Sequence, residues 1–149
     1  MAFQSLILDM AGNVGTQSLA VTIRVLTDEN ITFKEKLSLV AKEMKIGFSG
    51  GVILGVISIL FVGLYLMVFK AKTAAFAFAV SACIGAALLL SMVISSAVGT
   101  LIPLFFKKIK IDPAVASGPL ITTINDLVAV VTYYGLSWIL LINIMNLTG

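Results

Sequence analysis

The sequence predicts an all-α membrane protein, a polytopic bundle of four spanning helices with one short amphipathic helix at the cytoplasmic surface. Of the 149 residues, 60% are hydrophobic and only 11% are charged, whereas a soluble domain carries roughly a quarter of charged residues. The mean hydropathy of +1.13 implies more apolar surface than a chain of this size could bury. The apolar residues also form four long runs, each exceeding the ~20 residues that cross a bilayer as a helix.

The four predicted spanning helices cover about residues 3–27, 47–69, 74–106 and 115–147. Helix is the expected spanning form, because four long runs do not resemble the many short alternating strands of a barrel. The third run would be about 50 Å long as one helix. It is therefore expected to tilt, to project from the membrane, or to end near Gly99 and Pro103.

The segment between the first two runs has the pattern of a separate amphipathic helix over about residues 32–46. Its apolar residues at 33, 37, 40, 41 and 44 share one helical face, whereas Lys34, Lys42, Glu43 and Lys45 fall on the polar surface. Thr32 and Glu35 have the spacing of a capping box at its start. We expect this helix to lie on the membrane surface as a basic anchor, and the alternative is a lipid sensor.

The positions of the lysines predict the orientation in the membrane. Loops 28–46 and 107–114 hold most of the basic residues, whereas the remaining loop has only Lys70 and Lys72. The positive-inside rule then makes the two lysine-rich loops cytoplasmic and places both chain ends outside. We expect a multi-pass protein of the plasma membrane whose single domain spans residues 1–149, with no signal peptide and no soluble regulatory domain.

The composition excludes several classes of function. The sequence has no His, which removes imidazole metal ligation and histidine acid–base catalysis. The single Cys83 cannot form a disulfide within the chain. Lys and Arg are not clustered on a soluble face, so no nucleic-acid partner is expected.

A polar stripe on the first helix is one candidate functional feature. A charge at membrane depth costs at least about 2.5 kcal/mol, so such a residue indicates a function. Asp9, Asn13 and Gln17 are spaced by four residues and fall on one helical stripe. The stripe suits the lining of a path for a polar solute, and the alternative is hydrogen bonding between neighbouring helices.

The last run carries a second group of oxygen-bearing side chains. Thr122 and Thr123 lie one turn before Asp126, and Asn125 precedes it directly. These oxygens are hard ligands typical of Mg²⁺ or Ca²⁺ sites. One Asp per chain suffices if two chains each contribute one and the ion keeps its waters. The alternative is a buried ion pair between Asp126 and Arg24 or a lysine.

The start of the last run holds one more candidate ligand, Asp112. Asp112 followed by Pro113 is typical of a helix start, with Asp at N-cap and Pro at N1. Gly118 and Pro119 are predicted to interrupt that helix a turn later and to free carbonyls near the cytoplasmic entrance. Asp112 is therefore a candidate both for a helix cap and for a ligand that collects cations there.

Two segments resemble the MgtE magnesium transporter family, which shares its membrane domain with solute carrier family 41. One is AGNVGTQS at 11–18, followed by Arg24, and the other is DPAVASGP at 112–119, continuing to Asp126. The resemblance covers nearly the whole chain and implies a homodimer with the ion path between its two protomers. It implies that Asp126 is the central ion-binding residue and that Asp112 lies near the cytoplasmic mouth. The family's membrane domain usually has five spanning helices, so its first helix is expected to be absent here.

The resulting prediction is Mg²⁺ transport by a protein that is not an enzyme, with Asp126 and Asp112 as metal ligands. The ion path is predicted to be lined by Asp9, Asn13, Gln17, Thr122, Thr123, Asn125 and Gly118. One alternative is efflux of Mg²⁺ coupled to Na⁺, and another is a non-transporting assembly module. A remote alternative is an intramembrane aspartyl protease using Asp9 and Asp126. Its GxGD motif is missing, and we expect Asp9 to lie too near the outer end to meet Asp126.

Overall fold

Four α-helices follow one another along the chain. The computed structural model describes residues 3–28 and 30–147, with their side chains except those of 115–117 and 141–147, so positions 1–2, 29 and 148–149 of the predicted domain lie outside the described residues. No strand occurs in those ranges, and the all-α prediction is confirmed. The helices are α1 (Gln4–Val25), α2 (Phe33–Val68), α3 (Ala74–Lys108) and α4 (Pro113–Leu147).

Three segments are long and apolar enough to cross a membrane: Phe33–Val68, Ala74–Lys108 and Gly118–Leu140. The remaining helix, α1, has 22 residues and is the least apolar of the four, because it carries the polar stripe. By length and composition alone, three spans are therefore established within the described residues.

The prediction of a separate surface helix over residues 32–46 was wrong, because α2 runs without a break from Phe33 to Val68. Its predicted start is correct. The Glu35 carboxylate accepts from the Thr32 backbone N–H at 2.8 Å, and the Thr32 hydroxyl accepts from the Glu35 N–H at 3.3 Å, which completes the capping box. The sequence has no proline near residue 46, and Gly47 stays helical because it packs against α3.

The predicted interruption of the last helix at Gly118 and Pro119 was also wrong. α4 continues through Pro119, and α3 continues through Pro103 to Lys108. A proline removes one helical hydrogen bond, but tertiary packing can hold the helix together. Pro103 is fully buried against its neighbours, which provides that packing.

The third helix is the centre of the bundle. α3 packs against all three other helices, whereas α1 and α2 share only a small contact. The apolar core forms where α3 meets its neighbours, and α3 contributes Ile84, Ala87 and Leu88 to it. The core is completed by Ile7, Ala11, Val62, Ala129 and Tyr133.

Glycines set how closely the helices approach α3. A Cβ added at Gly47 would lie 2.8 Å from the Met92 carbonyl oxygen, and one at Gly51 would lie 2.9 Å from the Leu89 Cα. Gly47, Gly51 and Gly55 thus form a ladder of small residues through which α2 contacts α3 closely, as is typical of membrane helices. On the other side of α3, a Cβ at Gly99 would overlap the carbonyl oxygen of Gly15 on α1.

We expect Gly99→Ala to lower the melting temperature of the full chain in detergent micelles. The added methyl meets backbone atoms of α1, which can move aside only if the two helices separate, and overpacking of this kind costs about 1–3 kcal/mol. Gly135→Ala is the matched control, because a Cβ there has nothing within 4 Å. Alanine is the better helix former, so this control should be neutral or slightly stabilising. Equal melting temperatures for the two variants would contradict the close contact.

Candidate functional site

An open cavity of about 640 Å³ lies between α1 and α4, and five polar residues of these two helices line it. Helical spacing explains its composition, because residues four apart share one face. Asp9 and Asn13 are so spaced on α1, as are Thr122 and Asp126 on α4. The complete lining is Leu8, Asp9, Met10, Gly12, Asn13, Thr16, Thr122 and Asp126.

Two contacts fix how α1 and α4 are aligned. The Tyr134 hydroxyl donates to the Gln4 side-chain oxygen at 3.0 Å. Near the other end of α1, a Cβ at Gly15 would lie 2.8 Å from Cγ of Asn125. Residue numbers therefore rise along α1 as they fall along α4. This antiparallel alignment places Asp126 at the level of Asn13 and brings the two polar stripes to one cavity.

The two membrane carboxylates lie on one cavity. Asp9 and Asp126 line the same cavity, and both are exposed on it. Asp9 lies only one helical turn from Asn13, which is level with Asp126. The sequence could not show this, because the depth of α1 relative to α4 depends on contacts that are distant along the chain.

The cavity offers oxygen atoms to a cation. The Thr16 hydroxyl donates to the Gly12 carbonyl at 2.8 Å, and the Thr122 hydroxyl donates to the Gly118 carbonyl at 3.2 Å. With its proton directed to the helix backbone, each hydroxyl keeps lone pairs that can accept. Together with two carboxylates and the Asn13 amide, they form a set of hard ligands.

The electrostatics of the cavity also favour a cation. Its lining contains two carboxylates and no lysine or arginine, so the alternative of an ion pair to Asp126 finds no basic partner there. Within the described residues, no three acidic or thiol side chains come together as a metal cage. The cavity is therefore suited to an ion that keeps much of its hydration shell rather than to a fully stripped one.

Asp112 lies outside this cavity and caps α4. Its carboxylate accepts from the Ala114 backbone N–H at 2.9 Å, directly before the helix begins at Pro113. It borders a second cavity of about 370 Å³, together with Lys107 and Lys110. The cap is thus present, whereas the neighbouring lysines oppose the collection of cations at this point.

The other four predicted lining residues lie outside the cavity. Gln17 is exposed one turn beyond Asn13. The Thr123 hydroxyl donates to the Pro119 carbonyl at 2.9 Å, and Gly118 has open space around its Cα. Asn125 is fully buried against Gly15, and its amide nitrogen and oxygen have no hydrogen-bond partner among the described residues. In a single chain, these four residues do not line the cavity.

Two residues have positions that the sequence did not predict. Thr16 was not among the predicted lining residues, although it lies four residues after Gly12 and lines the cavity. Glu43 was assigned to the polar surface of an amphipathic helix, but it is only 3% exposed. The available signal was the spacing of four that joins Leu39, Glu43 and Gly47, all buried along one stripe of α2.

Glu43 links α2 to the helix that carries the polar stripe. The Ser18 hydroxyl on α1 donates to the Glu43 carboxylate at 2.8 Å in a buried setting. The Thr22 hydroxyl, one turn further, donates to the Ser18 carbonyl at 2.7 Å. Since α1 and α2 otherwise share little contact, this hydrogen bond helps to fix α1, and with it Asp9 and Asn13, within the bundle.

We expect Ser18→Ala to reduce the stability of the bundle by about 1.5–3 kcal/mol, the usual contribution of a hydrogen bond to a charged group. The variant leaves the Glu43 carboxylate buried without its donor. Adding Glu43→Gln should recover part of the loss, since a neutral amide is less costly to bury. Thermal unfolding in detergent measures both effects. A wild-type melting temperature for Ser18→Ala would show that Glu43 does not depend on this donor.

Comparison with known proteins places the chain in a family. The model of the family described as "MgtE: Divalent cation transporter" matches residues 4–136. Proteins named magnesium transporter MgtE from Bacillus subtilis and Enterococcus faecalis are each 36% identical to it, over 139 and 135 residues. The protein of that name from Thermus thermophilus is 26% identical over 135 residues.

Each alignment covers 91% of this chain but only 28% of the relative. The chain thus corresponds to little more than a quarter of the length of these relatives. Nearly all of it, including both polar stripes, lies within the region that matches the family. The chain therefore belongs to the MgtE family of divalent cation transporters, which are membrane proteins and not enzymes.

Proposed function

We propose that the chain forms the ion path of a Mg²⁺ transporter, as a homodimer whose two copies face each other across the cavity between α1 and α4. The observation that carries the proposal is that this cavity is lined by oxygen ligands and opens to the outside of the chain. Asp126 is its central residue, and Asp9 provides a second carboxylate.

The need for a second copy follows from the exposure of the polar face. Asp9, Asn13 and Asp126 are all exposed on the surface of a single chain. Facing hydrocarbon, each carboxylate would cost at least about 2.5 kcal/mol. A second copy packed against this face would enclose water between the two chains and bring two Asp126 carboxylates to one path. A symmetric dimer is also the commonest assembly in which one surface contacts its own copy.

Mg²⁺ fits the ligands of this path better than a softer metal would. The cavity presents carboxylate, amide and hydroxyl oxygens, and Mg²⁺ dehydrates reluctantly, so it usually binds through a few carboxylates and several waters. Weak contacts of this kind also let an ion leave as readily as it enters, which conduction requires. The names of the three relatives support Mg²⁺ as the ion.

The proposal makes α1 the fourth spanning helix of the chain. Its polar stripe lowers its hydropathy, but the stripe faces the path rather than lipid. The lysine-rich segments, residues 28–46 with the first turns of α2 and residues 107–114, then lie at the cytoplasmic side of a plasma membrane. In this orientation, the path runs from Asp9 past Asn13 and Gln17 toward the cytoplasmic start of α4 at Asp112.

We expect Asp126→Asn to lower Mg²⁺ flux into liposomes by about tenfold or more. The substitution removes one negative charge per copy from the path, and a lost charged contact of about 1.5–3 kcal/mol corresponds to at least a tenfold change. Flux is measured with a Mg²⁺-sensitive dye inside the vesicles.

The matched control for this variant is Asp28→Asn, which neutralises an exposed aspartate in the loop after α1. It should transport Mg²⁺ as the wild type does. Size-exclusion chromatography with light scattering should show the same dimer for all three proteins. Wild-type flux in Asp126→Asn would overturn the central role of this residue, and a monomeric wild type would overturn the shared path.

Coupling to Na⁺ is the second candidate mechanism, because Asp9 gives the cavity a carboxylate that could hold a second cation. We expect Mg²⁺ flux in liposomes to be the same with and without an opposing Na⁺ gradient, since one hydrated-ion site suffices for a channel. A flux that requires the Na⁺ gradient, and loses this requirement in Asp9→Asn, would establish the exchanger instead.

A further inference from the structure

An apolar groove with a basic edge lies on the opposite side of the bundle from α1 and α4. It has a volume of about 540 Å³ and is formed by the first turns of α2 and the last turns of α3. Its floor consists of Leu37 and Val40 from α2 with Leu101 and Leu104 from α3.

Several large apolar side chains of this groove are exposed. Phe33 is 81% exposed and Leu37 is 61% exposed, and Phe105 is exposed at the other edge. In a membrane-spanning chain, exposed apolar surface of this kind can be covered by the hydrocarbon of a lipid.

The edge of the groove carries positive charge without negative charge. Lys36, Lys107 and Lys108 border it, and no aspartate or glutamate does. The Lys107 ammonium group already has hydrogen-bond partners, because it donates to the carbonyl oxygens of Leu26 and Asp28 in the loop after α1. Within the described part of the chain, the side chains of Lys36 and Lys108 make no hydrogen bond or ion pair.

The groove lies at the end of the bundle where the apolar span of α3 ends. α3 is an apolar span that ends at Lys108, and the loop that follows contains one more lysine, Lys110. Lysines in this position extend their ammonium groups toward the interface while their stems cover apolar surface. Basic pockets between spanning helices at such a boundary bind phosphate headgroups of anionic lipids.

We propose that this groove binds an anionic phospholipid, with one acyl chain along Leu37, Val40, Leu101 and Leu104 and the headgroup phosphate between Lys36 and Lys108. The hydrocarbon chain covers the exposed floor, and the phosphate supplies the negative charge that the edge lacks. This binding is independent of the ion path, which lies at the other side of the bundle.

The chain allows a direct test by fluorescence, because it contains a single tryptophan. Trp138→Phe combined with Phe33→Trp moves the only tryptophan to the wall of the groove. The full chain is reconstituted into phosphatidylcholine vesicles in which a minor share of the lipid is replaced by brominated phosphatidylglycerol or by brominated phosphatidylcholine. Bromine on an acyl chain quenches a tryptophan that it contacts.

We expect brominated phosphatidylglycerol to quench at a mole fraction roughly fivefold lower than brominated phosphatidylcholine, the enrichment that a single lysine near an anionic surface provides. Lys36→Gln with Lys108→Gln should abolish this difference. Lys70→Gln with Lys72→Gln, at the far ends of α2 and α3, should leave it unchanged. High salt should reduce the preference, because the lysine–phosphate attraction is screened.

Each outcome bears on the proposal. Equal quenching by the two lipids in the wild-type lysine background would overturn it, and so would an unchanged preference after Lys36 and Lys108 are replaced. No quenching by either lipid would show that protein covers the groove, which also overturns it. Quenching by brominated phosphatidylcholine that is the same in both lysine variants confirms that replacing the lysines leaves the groove folded.

Discussion

The close approach of α1 to α3 at Gly15 and Gly99 is the contact on which the rest of the arrangement depends. Gly15 also receives Asn125 of α4, so three helices meet at one glycine. A larger side chain at either glycine would separate α1 from α3 and alter the depth of α1 against α4. The polar stripes of α1 and α4 face one cavity only because this junction sets their level and their rotation.

The polar side chains of the bundle differ in their hydrogen bonding and in their exposure. Two buried threonine hydroxyls bond to their own helix: those of Thr22 and Thr100 donate to the carbonyls four residues earlier, at 2.7 Å and 2.9 Å. Such groups add little polarity between helices. The carboxylates of Asp9 and Asp126 instead remain exposed on one face. The two threonine hydroxyls are thus bonded within one helix, whereas these two carboxylates stay accessible from outside the chain.

Features that depend on residues close in sequence could be predicted from the sequence. The capping box at Thr32, the cap at Asp112 and the glycine ladder of α2 each follow from local spacing, and the structure shows all three. Features that depend on contacts between residues far apart in the sequence could not be predicted. The depth of Asp9 relative to Asp126, and the continuity of helices through Pro103 and Pro119, are decided by packing against other helices.

The wrong prediction of a separate surface helix also led to a wrong position for Glu43. Dividing α2 at residue 46 assigned Glu43 to a surface helix, whose polar residues are expected to face water. Taken as one helix, the buried stripe of Leu39, Glu43 and Gly47 extends into the glycine ladder, and the same spacing then places Glu43 in the interior. A carboxylate on a stripe of small residues would have indicated a partner on another helix, which is Ser18.

The order of the helices along the chain has a consequence for biosynthesis. α1 is synthesised first, yet it barely touches α2, and its packing partners α3 and α4 emerge only later. At about 5–20 residues per second, α3 is completed several seconds after α1. During that interval, the least apolar of the four helices lacks both its glycine contact with α3 and the cavity that it shares with α4. Of the four helices, the one made first is therefore among the last to reach its final position.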